Sequence, residues 1–142
     1  EEQDIVFREP APTAPAPAAV PVEPAEPEPA EAVRSLSPDP ILLFRYSALT
    51  FNAHRIHYDR DYARDVEGYA GLVVHGPLIA TLLMDHFLRA APGAIPRRFS
   101  FRAEAPLIDG APFDLCLARD EDATRLWARD AAGRTTMRAD VA

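Results

Sequence analysis

The chain has 142 residues, 48% hydrophobic and 26% charged, with fifteen basic residues, all arginine, against twenty-two acids and a net charge of −7. Dispersed arginines outnumbered by acids argue against a nucleic-acid partner. The most apolar stretch, Gly71 to Met84, is interrupted by His75, Gly76 and Pro77 and is too short for a bilayer, so no membrane partner is expected. Cys116 is the single cysteine, which rules out an internal disulfide and favours a reducing, cytoplasmic setting. No charged-then-apolar leader pattern opens the chain.

Residues 1–9 contain Asp4-Ile5-Val6-Phe7-Arg8, a strand-like end that stops at a proline tract. Alone it has nothing to pair with, and it is expected to close a preceding domain of a longer polypeptide. Ten of the fifteen prolines lie between Pro10 and Pro40, and residues 1–36 hold eight acids and two arginines. The negative charge therefore belongs to this stretch and says little about the partner of the folded part. Residues 10–37, rich in Pro, Ala and Glu, cannot offset their ordering entropy and are predicted to be a disordered linker. The folded domain is then 38–142, roughly 105 residues, enough to bury about 60–70% of the unfolded chain's surface.

Within it, Ile41 to Tyr46 is a short apolar run bounded by Pro40 and reads as a strand, with Ser47 capping a brief helical segment through Asn52. Asp59 or Asp61 caps another short helix containing Tyr62, Ala63 and Val66, which ends at Gly68. Pro77 suits the first position of a helix. From there Leu78, Ile79, Leu82, Leu83, His86, Phe87 and Ala90 recur at helical spacing. More than one face is apolar, so this helix is predicted to be buried. At 1.5 Å per residue it spans ~22 Å, and Pro92-Gly93 ends it. Strand patterns follow at 97–105, 113–119, 124–130 and 134–141, separated by turn residues. Cys116, between Leu115 and Leu117, reads as a buried strand residue rather than a nucleophile. The pattern is α+β: a curved antiparallel sheet wrapped around one long buried helix.

Two runs carry the chemistry. The first is Phe51-Asn52-Ala53-His54-Arg55-Ile56-His57-Tyr58-Asp59 and the second Gly71-Leu72-Val73-Val74-His75-Gly76-Pro77-Leu78. The five-residue spacing of Asn52 and His57 resembles that of the Asp and His in MaoC-like, R-specific enoyl-thioester hydratases of the hot-dog fold. The stretch Phe44 to Asp59 is most similar to a subgroup that includes mesaconyl-CoA and itaconyl-CoA hydratases and the mitochondrial 3-hydroxyacyl-thioester dehydratase. The second run and Phe101-Arg102-Ala103-Glu104-Ala105-Pro106-Leu107 resemble the same subgroup, so the likeness covers most of 41–142.

The resemblance implies a hydro-lyase acting on an enoyl or 3-hydroxyacyl thioester of coenzyme A or acyl-carrier protein, as in fatty acid metabolism, with no cofactor and no metal. Such chemistry needs a proton carrier, a held water and a sink for charge on the thioester carbonyl. His57, with an ordinary pKa near 6.5, can be a neutral base at pH 7. Asn52 stands where the wider family has Asp; an amide takes no proton, so its expected role is to orient the water. The Gly76 N–H at the helix start would bind the developing oxyanion. Arg55, Val74 and His75 are candidate substrate contacts, with Asp59 or Asp61 as the rival partner of Arg55 and packing as the rival role of His75. Gly76 has the rival role of giving the helix clearance. His54 is expected to be structural and Tyr58 and Tyr62 to pack. Arg97, Arg98 and Arg102 are expected to be solvated surface groups before they are phosphate contacts.

Two other readings remain. A hot-dog thioesterase would place a carboxylate on the central helix, where only Asp85 is available. A non-catalytic acyl-binding half has no need of both Asn52 and His57. A homodimer, or pairing with a second hot-dog half, is expected because a lone unit leaves a sheet edge open.

Overall fold

A five-stranded sheet curls around one helix in the computed structural model, which describes residues 2, 4, 28–120 and 123–142. The strands are β1 (Ala32–Leu36), β2 (Phe99–Ala103), β3 (Phe113–Arg119), β4 (Thr124–Arg129) and β5 (Thr135–Val141), all antiparallel in the order β1-β3-β4-β5-β2. Helix α1 covers Pro40–Thr50 and α2 covers Gly76–Ala90, with short helical turns at Arg55–His57 and Tyr62–Val66 between them.

Alternation on the strands separates two faces. Leu115, Leu117, Leu126, Ala128, Met137, Ala139 and Val141 form one buried cluster with Leu78, Ile79, Leu83 and Phe87 of α2. Cys116, Ala118 and Trp127 point the other way and pack with Ala30. The expected buried helix and four strands are therefore present, with strand ends within two residues of the predicted ones, but only β3, β4 and β5 form a meander: β2 lies on the far side of β5 rather than beside β3.

Two expectations are corrected. Ile41 to Tyr46 is not a strand: it belongs to α1, and Ser47 sits inside that helix rather than before it. A short apolar run fits either state by pattern. The local signals decide: Asp39 Oδ1 accepts the Leu42 N–H at 2.8 Å, and Pro40 stands in the first turn. The linker also ends earlier than residue 37, because β1 occupies Ala32–Leu36. Its prolines stop at Pro29, and pairing with β3, distant in sequence, supplies the backbone partners. The strand-like end at Ile5 to Arg8, and residues 10–27 of the linker, lie outside the described residues.

Candidate active site

The helix α1 ends in a left-handed residue, Phe51 at φ 54°, whose N–H returns to the Ser47 carbonyl. The Asn52 N–H reaches the same carbonyl at 2.9 Å, so one carbonyl closes the helix end with a left-handed 5→1 bond and a 6→1 bond. An aromatic residue at this φ is strained, yet Phe51 is 94% exposed, so no packing of its side chain offsets the strain. Beyond it, Asn52 Oδ1 accepts the His54 N–H at 3.0 Å. That bond engages the amide oxygen, and its NH2 is a donor without a partner among the described residues.

The short turn Arg55–His57 presents the His57 ring. His57 Nδ1–H donates to the Val73 carbonyl at 2.7 Å; a carbonyl only accepts, so Nε2 carries the free lone pair. Burial is the main force holding the His57 pKa below its ordinary value, with nearby His54 adding to it and the Val73 bond opposing. A neutral base with one defined tautomer results. The His54 ring meets His57 edge-on at 5.6 Å, so His54 does link Asn52 to His57, in keeping with its expected structural role.

The second run is fastened to the first. Val73 N–H bonds the Ile56 carbonyl at 3.0 Å, and Val73 pairs with Ile108 in an isolated bridge. Asp109, whose side chain is almost fully buried, accepts from the Leu72 N–H at 2.9 Å and pairs with Arg60. A Cβ on Gly71 would fall 2.7 Å from Asp109 Oδ1 and 3.0 Å from Ile108 Cγ2, so this approach requires glycine. From the sequence, Asp109 read only as part of a turn; its partners lie 37 and 49 residues away, and no local signal announces them.

The second run ends at α2. Gly76 opens that helix, its N–H has no main-chain partner among the described residues, and the next residue, Pro77, is exposed and has none to offer. A Cβ on Gly76 would meet only Met137 Cε, at 3.9 Å. Clearance between helix and sheet therefore does not explain the glycine. The helix start is open, and its aligned peptide dipoles favour a negative group there.

Other candidates fall elsewhere. Val74 is buried in the main core, and its N–H bonds the Leu107 carbonyl. His75 is fully buried and reaches the site only through His57, on which it stacks at 3.7 Å. Arg55 is exposed, bonds Asp59 Oδ2 at 2.7 and 3.1 Å, and lies 4.2 Å over the Tyr62 ring, so Asp59 is its partner and Tyr62 more than packing. Tyr58 O–H donates to the Ala53 carbonyl. Arg97, Arg98 and Arg102 are exposed, as expected of solvated groups. Burial pushes the Cys116 thiol up to about 11, and it stays protonated. Asp85 is tied to Arg34 and Arg89 and sits nine residues along α2, about 14 Å from its start. It is a poor nucleophile there.

A family model described as hydroxyacyl-thioester dehydratase type 2 matches residues 1–109, which include both site runs. Over 145 residues the chain is 54% identical to the mesaconyl-C(4)-CoA hydratase of Chloroflexus aurantiacus, covering 99% of this chain and 49% of that protein. Over 84 residues it is 40% identical to the mitochondrial hydroxyacyl-thioester dehydratase type 2 of Schizosaccharomyces pombe, covering 58% of this chain and 28% of that protein. The chain thus spans half or less of the length of these curated relatives. The R-hydratase PhaJ1 of Pseudomonas aeruginosa shares its fold, with a TM-score of 0.67 at 20% identity over 83% of this chain and 81% of the other. The sheet around α2 is the hot-dog fold.

Proposed function

Because this chain belongs to the hydroxyacyl-thioester dehydratase type 2 family, we propose that it is a hydro-lyase that adds water to an enoyl thioester and removes it from a 3-hydroxyacyl one. The observation that carries this reading is the bond from His57 Nδ1–H to Val73, which leaves a neutral Nε2 facing away from its anchor. In the hydration direction a water sits between His57 Nε2 and the NH2 of Asn52. Nε2 takes a proton as the water oxygen bonds the β-carbon. The π electrons move onto the thioester carbonyl, giving an enolate whose oxygen accepts a hydrogen bond from the Gly76 N–H. The imidazolium then returns the proton to the α-carbon, so one water is added and the histidine is restored. Dehydration is the reverse.

A positioned general base contributes roughly 10²–10⁴-fold and an oxyanion donor about 2.7–4 kcal/mol. The substrate would be an acyl thioester of coenzyme A or carrier protein, of the mesaconyl-CoA class by likeness to the bacterial relative. The setting would be cytoplasmic. The exposed edge strand β2 and half-open Phe101 support pairing with a second hot-dog unit, either another copy or another half. The test is hydration of crotonyl-CoA and mesaconyl-CoA by the intact protein and by His57→Ala. The variant should lose roughly 10²–10⁴-fold in kcat with unchanged thermal unfolding. Wild-type turnover in a folded His57→Ala would sink the assignment.

A further inference from the structure

Two imidazoles lie face to face in the site, and only one of them can reach a substrate. The rings of His57 and His75 are 3.7 Å apart at 19°. Three of their four nitrogens are committed to the interior. His57 Nδ1 is bound to Val73, His75 Nε2 lies 2.8 Å from Ser47 Oγ, and His75 Nδ1 is buried without a partner among the described residues. The fourth, His57 Nε2, is free. Ser47 is itself buried in α1, and its carbonyl receives the N–H groups of Phe51 and Asn52. One residue thus touches both halves of the site: its main chain fixes where Asn52 begins, and its hydroxyl holds the ring against which His57 lies.

We infer that Ser47 and His75 are positioning residues that together fix the plane of the His57 imidazole and its separation from Asn52. A single hydrogen bond at Nδ1 sets one direction of the His57 ring and leaves its tilt free. A flat neighbour pressed on its face removes that freedom. The neighbour must be held in turn, and Ser47 holds it on one side while the Tyr46 ring meets it edge-on at 4.8 Å. Packing alone does not account for an imidazole here, because an apolar side chain would fill the space without stranding a buried nitrogen. The ionisable groups around the pair are His54 against His57 and Tyr46 against His75. Among the described residues no carboxylate bonds either ring. Burial, and next the adjacent His57, push the His75 pKa down to about 4, so it stays neutral when His57 takes up a proton and no like-charge repulsion develops.

The geometric claim stands apart from the hydro-lyase reading, on which only its catalytic consequence rests. The experiment compares wild type, Ser47→Ala, Ser47→Thr and His75→Leu in the intact protein, following the His57 ring nitrogens by NMR across pH, with kcat and KM on an enoyl thioester alongside. Wild type should show one His57 tautomer and a midpoint below 6.5. Ser47→Ala and His75→Leu should mix the tautomers and move the midpoint toward 6.5. Their kcat should fall roughly ten- to a hundredfold, the scale of small misplacements of a catalytic group, with KM within about twofold. Ser47→Thr, which keeps the hydroxyl, should restore both. An unchanged His57 tautomer and titration in folded Ser47→Ala overturns the inference, and so does a changed titration with wild-type kcat. If His75→Leu fails to fold, Ser47→Ala decides alone. Should the wild type turn over no enoyl thioester, the hydro-lyase reading falls and the NMR arm still decides the positioning.

Discussion

Helices α1 and α2 are similar in apolar content and alike in having proline in the first turn, yet the fold treats them differently. Helix α2 buries Leu78, Ile79, Ala80, Leu83, His86 and Phe87 beneath the sheet. Helix α1 buries only Leu43 and Ser47, leaving Ile41, Phe44 and Leu49 largely in solvent. Each gives one end to the site: α1 delivers Asn52 past its C-terminus, and α2 offers the N–H of Gly76 at its start. The proposed oxyanion side is therefore built on the buried central helix. The proposed water-holding side hangs from a helix with two buried residues, and one of them, Ser47, touches the histidine pair. Hydrophobicity makes a helix apolar; the sheet decides which helix is core.

Truncation should expose that contrast most sharply. Leu83 is fully buried on α2, and Leu83→Ala should cost about 3 kcal/mol of unfolding free energy, through lost transfer energy and a residual cavity. Leu49 on α1 is 81% exposed, and Leu49→Ala should stay within about 0.5 kcal/mol. Urea denaturation of both checks the pair, and equal losses would mean that α1 is covered in solution.

Acid should act next, and through the site rather than through either helix. Burial holds the His75 pKa at about 4 in the folded chain, against an ordinary imidazole value of 6.5, so between these values the unfolded chain binds the extra proton. Stability contributed by the neutral ring is complete above 6.5, falls as the pH drops, and is fully lost below about 4. The loss is roughly 3 kcal/mol from this residue. His57 and His86 are also held low by burial and add in the same direction. Denaturant midpoints at pH 7.5 and 4.5 measure the fall, and His75→Leu, if folded, should flatten it.

A smaller gain is expected where α1 ends. Phe51→Gly removes a left-handed non-glycine residue and no buried contact, and should raise stability by about 1 kcal/mol, the scale of the left-handed penalty. A thermal melt reads the change. A lower melting temperature would show that the Phe51 ring is packed in solution.

Much of this was legible in the residues themselves. Period-two alternation in Leu115 and Leu117, and again in Leu126 and Ala128, marks strands whose one face meets a core. The three- and four-residue recurrence after Pro77 marks α2. The first-turn position of Pro77 and the imidazole at position 57 were equally readable, because each is a property of a residue type in a short local pattern. Helix α1 was not legible as a helix: a run of six residues after a proline, five of them apolar, suits either secondary structure, and a cap at Asp39 settled the matter. Strand β1 was missed for the opposite reason, since its partner β3 lies about eighty residues away and composition near the prolines masked it.

The sequence by itself determined which chemical groups are present and the regular elements that carry most of them. Only the tertiary structure decided what those groups do to one another. It turned Val74 into core, bound Arg55 to Asp59, tied Asp109 to Arg60, and laid His75 flat on His57 with Ser47 behind it. Periodicity records how a residue faces its own element, and it carries no information about which side chain from another element arrives on that face. Tautomer, ring plane and protonation depend on that second fact, which exists only once the chain has closed.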